Sequence, residues 1–202
     1  MEDFGLYVII TRPVLPYTRI AEICVETGVR MLQLREKHLC DREIVRIGRE
    51  IKQVTRGTAT RFVMNDRADL ALLADADVLH LGQGDLSLRD ARRIVGRDMM
   101  IGLSTHSLEQ AREAIAEGPD YIGFGPVYPT TTKAVPDPTV GTGLLREVLG
   151  FATVPVVAIG GIFPDNLPEV TAAGARNVCL VRHLMESPDL ETRIRSLQQT
   201  IG

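Results

Sequence analysis

Short β-rich runs and amphipathic helical runs alternate along this chain from end to end, with no low-complexity linker or change of composition between them. That alternation confines it to an α/β fold built on a parallel sheet. Eight strands are predicted, at 6–11, 31–35, 61–65, 78–81, 99–104, 121–124, 155–159 and 177–181. Between them lie helical patterns. Leu88, Ala91, Arg92 and Val95 recur at helical spacing behind Ser87, which can cap, and Asp165, Asn166 or Pro168 opens a helix that closes near Gly174. An open doubly wound sheet would gather its polar residues at one switch point. Here polar residues follow nearly every strand: Thr11-Arg12, Arg35-Glu36-Lys37, Asn65-Asp66-Arg67, Gly82-Gln83-Gly84-Asp85, Ser104-Thr105-His106, Gly125 to Lys133, Gly160-Gly161 and Arg182-His183. A closed barrel brings the C-terminal ends of all its strands to one rim, so the expected fold is a single (β/α)8 TIM barrel spanning residues 1–202.

With 45% hydrophobic and 24% charged residues the chain can bury a substantial core. A net charge of −3 gives no global attraction for nucleic acid or an anionic membrane, so any affinity for anions must be local. No run reaches the roughly 18 apolar residues of a membrane span, and Met1-Glu2-Asp3-Phe4 lacks the basic region of a secretory signal. A cytoplasmic protein is expected, and a homo-oligomer is compatible with these features. Cys24, Cys40 and Cys179 are odd in number and widely spaced, which favours buried thiols over a disulfide or a metal site.

Several segments could carry chemistry. Strand alternation puts Gln33 and Arg35 on one face of the second strand, pointing into the barrel top. With Lys37 they suit an anion of several oxygens, although Leu34-Arg35-Glu36-Lys37 alone also reads as a solvated turn with an Arg–Glu pair. Asp66 and Asp85 end neighbouring strands and could share one hard cation; taken singly, each could instead cap the helix that follows. The long loop carries Thr130, Thr131, Thr132 and Lys133, donors suited to phosphate oxygens. Gly160-Gly161 follows the seventh strand, where barrels often bind phosphate through main-chain N–H groups; a tight turn is the plain alternative. Ser104 is expected to face inward and His106 to cap the next helix. No carboxylate partner for His106 is visible, and His38, His80 and His183 are not spaced as zinc ligands.

In order along the chain, QLREK, MNDRADLA, LHLGQGDL, IGLSTHS, DYIGFGPVYPTTTK and VAIGGI cover most of its length. Together they resemble the thiamine phosphate synthases. The resemblance implies a transferase that joins hydroxymethylpyrimidine pyrophosphate to thiazole phosphate after dissociative loss of pyrophosphate. It implies that Gln33 and Ser104 contact the pyrimidine, and that Arg35, Lys37, Asn65 and Lys133 hold the pyrophosphate. Asp66 and Asp85 would ligate Mg2+, and Thr130, Thr132 and Gly161 would receive the thiazole phosphate. Arg35, Lys37, Asn65, Ser104 and Lys133 are the expected catalytic set. One position departs from the family pattern: Arg182 stands where a serine is usual, and it is expected to bind the thiazole phosphate in its place.

Two rivals remain. A thiazole tautomerase of the same superfamily tends to lose the second carboxylate and the TxTK loop, and to place a histidine where this chain has Pro126. A non-catalytic phosphate sensor should have lost a group needed for chemistry. This chain keeps Asp66, Asp85 and Lys133.

Overall fold

A computed structural model describes residues 3–130 and 137–202. Eight parallel strands close into a barrel in sequence order: β1 (Leu6–Ile10), β2 (Met31–Leu34), β3 (Arg61–Asn65), β4 (Val78–Leu81), β5 (Met100–Thr105), β6 (Tyr121–Phe124), β7 (Val156–Ile159) and β8 (Asn177–Cys179). Around them pack α1 (Tyr17–Glu26), α2 (Asp41–Thr55), α3 (Ala68–Leu73), α4 (Leu88–Val95), α5 (Leu108–Glu117), α6 (Gly141–Phe151), α7 (Leu167–Ala172), α8 (Arg182–Met185) and α9 (Leu190–Ile201). The expected (β/α)8 barrel is therefore present. Closure is carried by β1 and β8, where Leu6 pairs with Val178 and Tyr7 with Cys179.

The alternation along each strand sorts residues into two cores. Val8, Leu32, Phe62, Leu79, Ile101 and Val178 face outward against the helices. Tyr7, Met31, Val63, Val78, Tyr121 and Cys179 face inward and fill the lumen. Phe4 plugs the bottom, where the Asn177 side-chain oxygen accepts the main-chain N–H groups of Phe4 at 2.7 Å and Gly5 at 3.2 Å.

Strand ends differ from the expected bounds for local reasons. β8 stops at Cys179 because Val181 already has a helical backbone (φ −97, ψ −71) at the head of α8. β5 runs on to Thr105, which pairs with Phe124. Ser87 caps α4 as expected, accepting the Asp90 N–H at 3.1 Å. Asn166 precedes α7 without a side-chain cap bond, Pro168 sits in its first turn, and Gly174 beyond its end has φ +103. Cys24 and Cys179 are buried free thiols, but Cys40 is exposed at the start of α2, against the expectation that all three are buried. Among the described residues no helix is long and apolar enough to cross a membrane.

The lumen has little room to spare. Gly102 faces inward opposite Tyr121, and a Cβ there would overlap the Tyr121 ring. Gly102→Ala is expected to lower unfolding stability by roughly 1–3 kcal/mol, as overpacking a core does. Urea denaturation followed by circular dichroism checks this, and an unchanged midpoint would show that the ring has space to move.

Candidate active site

At the top of the lumen, the last inward residues of the strands meet. Gln33 Nε2 donates to the Tyr7 hydroxyl at 3.1 Å, and Tyr7 and Tyr121 share a hydrogen bond of 3.0 Å. Tyr121 lies 2.9 Å from Nδ1 of His80, whose Nε2 lies 2.9 Å from Ser104 Oγ. One proton order leaves no buried hydroxyl without an acceptor: Gln33 to Tyr7, Tyr7 to Tyr121, Tyr121 to His80, and His80 Nε2–H to Ser104. It turns the Ser104 hydroxyl proton toward the space above. Burial pushes the pKa values of Tyr7 and Tyr121 well up, so both remain donors.

Two cavities open above this chain, spanning about 830 and about 2030 Å3 with their open mouths. They share one wall, made of Thr11, Arg35, Ser104, His106, Asp137 and Arg182. Arg35, at the next inward position after Gln33, pairs with no carboxylate among the described residues.

The larger lobe is polar and takes in Lys37, Asn65, Asp66 and Asp85. Lys37 Nζ lies 3.0 Å from Asp66 Oδ2, and Asp85 Oδ2 accepts the Gly82 N–H at 2.7 Å. Neither carboxylate caps a helix: α3 is preceded by Arg67 and α4 is capped by Ser87. Asp66 instead adopts φ +61 at the strand end. Surrounding protein raises the Asp85 pKa first and the facing Asp66 carboxylate raises it further, although its side chain still reaches solvent. Two like charges held face to face, with hard oxygen donors and one lysine nearby, make a place that a divalent cation would relieve. Among the described residues no cluster of three or more His, Cys, Asp and Glu completes a metal site, so further ligands would have to come from a bound anion and water.

The smaller lobe is more apolar, walled by Ile9, Pro126, Ile159, Ile162, Phe163 and Val181. Thr130, Gly161 and Arg182 bring polar groups to its edge. The Arg182 guanidinium sits 5.2 Å from the centre of the Phe163 ring. Gly160 and Gly161 have φ +97 and +65, and a Cβ on Gly161 would come within 2.6 Å of the Tyr128 and Pro129 carbonyl oxygens. The pair is thus required both by its turn and by close packing against the β6–α6 loop. Asn166 fixes that turn by donating to the Gly161 carbonyl at 2.9 Å while accepting the Phe163 N–H at 2.8 Å. Thr132 and Lys133 lie outside the described residues.

Of the expected site residues, Gln33, Arg35, Lys37, Asn65, Asp66, Asp85, Ser104, Thr130, Gly161 and Arg182 all come to this one rim. Three readings need correction. Glu36 does not sit in a solvated Arg–Glu turn: it is buried and bonds the Arg12 N–H and the Tyr17 hydroxyl. His106 does not cap α5, which Ser107 caps; it bonds the Gly125 carbonyl through Nδ1. It also has a carboxylate partner after all, with Nε2 3.4 Å from Asp137 Oδ2. Ser104 bonds His80, whose other ring nitrogen meets Tyr121, rather than the His106 that faces Asp137. Sequence reasoning misses the hydrogen-bonded Tyr7, His80 and Tyr121 that support the rim from below, although inward alternation of LYVII, VLHL and YIGF points to them.

A closed barrel whose rim gathers a carboxylate pair, Lys37, Arg35 and Arg182 around a two-lobed cavity is the frame of an enzyme that works on small anionic molecules. The match to the thiamine monophosphate synthase family model covers residues 6–184. The Thiamine-phosphate synthase of Methanoregula boonei is 41% identical over 185 residues, covering 92% of this chain and 86% of that protein. That of Shouchella clausii is 39% identical over 201 residues, covering 98% and 96%. A solved thiamine phosphate pyrophosphorylase from Pyrococcus furiosus superposes with a TM-score of 0.88 at 34% identity, covering 98% of this chain and 96% of that one. The chain belongs to the thiamine monophosphate synthase family and is a transferase.

The carboxylate pair has a measurable cost. A carboxyl whose folded pKa is raised contributes stability that is present below its unfolded pKa and lost as pH rises through the folded value. Asp85→Asn keeps an oxygen to accept the Gly82 N–H while removing the charge. Its denaturation midpoint is expected above that of the wild type at pH 7, with the gap closing toward pH 3. A variant less stable than the wild type at pH 7 would contradict the repulsion.

Proposed function

We propose that this barrel, as one cytoplasmic catalytic domain spanning residues 1–202, joins hydroxymethylpyrimidine pyrophosphate to thiazole phosphate. The observation that carries the reading is the shared wall: a polar lobe suited to diphosphate and an apolar lobe suited to a ring with a phosphate meet at Arg35, Ser104 and Arg182. A bond forming between two substrates needs such a seam.

In this reading the pyrimidine lies on the Gln33–Tyr7–Tyr121–His80–Ser104 chain, with Gln33 and Ser104 offering oriented groups to its ring. Arg35, Lys37 and Asn65, with Lys133, hold the diphosphate and stabilise its charge as the C–O bond breaks. The electron pair of that bond leaves with pyrophosphate. The thiazole nitrogen then donates its own pair to the pyrimidine carbocation across the seam. Thr130, Thr132, Gly161 and Arg182 hold the thiazole phosphate, and the apolar wall keeps water from capturing the carbocation first. Asp66 and Asp85 fit Mg2+, which would supply charge neutralisation to the departing diphosphate.

Mixing the protein with both substrates and Mg2+ is expected to release pyrophosphate and yield thiamine phosphate. Asp66→Ala is expected to slow release at least about 100-fold, the scale on which removing one oriented electrostatic group acts. No release by the wild type, or release indifferent to Asp66→Ala, would overturn the reading. Isomerisation of a thiazole phosphate alone would favour the tautomerase.

A further inference from the structure

Glu36 holds a carboxylate that the reaction described above does not use. Its side chain has 0% exposure, yet only one of its oxygens is bonded. Oε1 accepts the Arg12 N–H at 2.7 Å and the Tyr17 hydroxyl at 2.9 Å. These two donors, one from a residue at φ +44, fix the carboxylate in place. Oε2 has no hydrogen-bond partner among the described residues, although Nδ1 of His38 stands only 3.3 Å away, out of line for a bond. A buried carboxylate oxygen without a donor is costly and rare. A small turn of the His38 ring, whose side chain is 43% exposed, would satisfy it.

His38 also lines the polar lobe with Lys37, Asp66 and Asp85. We propose that Glu36 and His38 form a carboxylate–imidazole pair that gives the polar lobe a further cationic donor to diphosphate. The inference rests on the reading of that lobe as the diphosphate site. With Nδ1–H turned to Glu36, Nε2 lies on the opposite side of the ring and is left for an anion. Donating on both sides takes both ring N–H groups, one for the carboxylate behind Nδ1 and one for the anion beyond Nε2. A carboxylate orienting a histidine from behind is a general device for presenting the other nitrogen. The lobe has use for it, since Lys37 is partly engaged by Asp66 at 3.0 Å.

Calorimetric titration of inorganic pyrophosphate with Mg2+ tests the pair, alongside steady-state kinetics. His38→Ala is expected to weaken pyrophosphate binding at least about tenfold, the scale of one hydrogen bond to a charged group. It should raise KM for the pyrimidine pyrophosphate by a similar factor and leave KM for thiazole phosphate unchanged. In 15N spectra of the wild-type complex with pyrophosphate, both His38 ring nitrogens should be protonated, and Glu36→Gln should abolish that signature. His38 is exposed enough that its variant tests the proposal even if Glu36→Gln fails to fold. A wild type that binds pyrophosphate and turns over, beside a His38→Ala variant equal to it, overturns the pair alone; so does a singly protonated ring in the complex. A wild type that neither binds nor releases pyrophosphate overturns the reading of the lobe as well.

Discussion

The period-two alternation of a parallel strand, applied eight times around a closed circuit, is what the rest of this structure depends on. Each strand sends one set of side chains to the helices and the other to the lumen, and closure brings the last inward residue of every strand to one rim. Gln33, Asn65, His80 and Ser104 are such last inward residues, and Arg35 is the next step beyond one. A slip of one residue in any strand would exchange them for the leucines and methionines that now pack against helices. The register is held from below by Asn177 and by the filled lumen, so the packing of the barrel floor and the position of the rim groups are one problem.

The rim departs from what stability alone would select. Asp66 and Asp85 face one another, Arg35 has no carboxylate partner among the described residues, and Arg12 and Asp66 carry positive φ. Below them, Tyr7, Tyr121 and Gln33 are hydrogen-bonded in the buried lumen. The contrast has a simple physical basis. In the proposed reading, the groups that orient others are satisfied within the protein, whereas those that would meet ligand charge are left for the ligand to satisfy.

Much of this was legible in the sequence, because the barrel and the rim residues follow from local patterns. LYVII, MLQL and VLHL show their strand character within five residues, and a strand end followed by Asn-Asp or Gly-Gln-Gly-Asp marks a loop at the rim. Features that join segments distant in sequence were not legible. His106 meets Asp137 across the β6–α6 loop, and Glu36 bonds Arg12 and Tyr17 from another β/α unit. Helix-capping readings for Asp66 and Asp85 were equally sound locally, and only the positions of Arg67 and Ser87 settle against them. Arg182 stands in the wall between the lobes beside Phe163, an arrangement that depends on β8 ending two residues before Val181.

In the proposed reading the rim divides into a diphosphate lobe and a ring-plus-phosphate lobe that meet at one wall. The most direct measurement is a crystal structure with pyrophosphate, thiazole phosphate and Mn2+ in place of Mg2+, the metal located by its anomalous signal. The expected result is one metal peak between Asp66 and Asp85, pyrophosphate against Arg35, Lys37 and Asn65, and the thiazole ring in the apolar lobe with its phosphate near Gly161 and Arg182. A metal bound away from both carboxylates, or pyrophosphate seated in the apolar lobe, would contradict it.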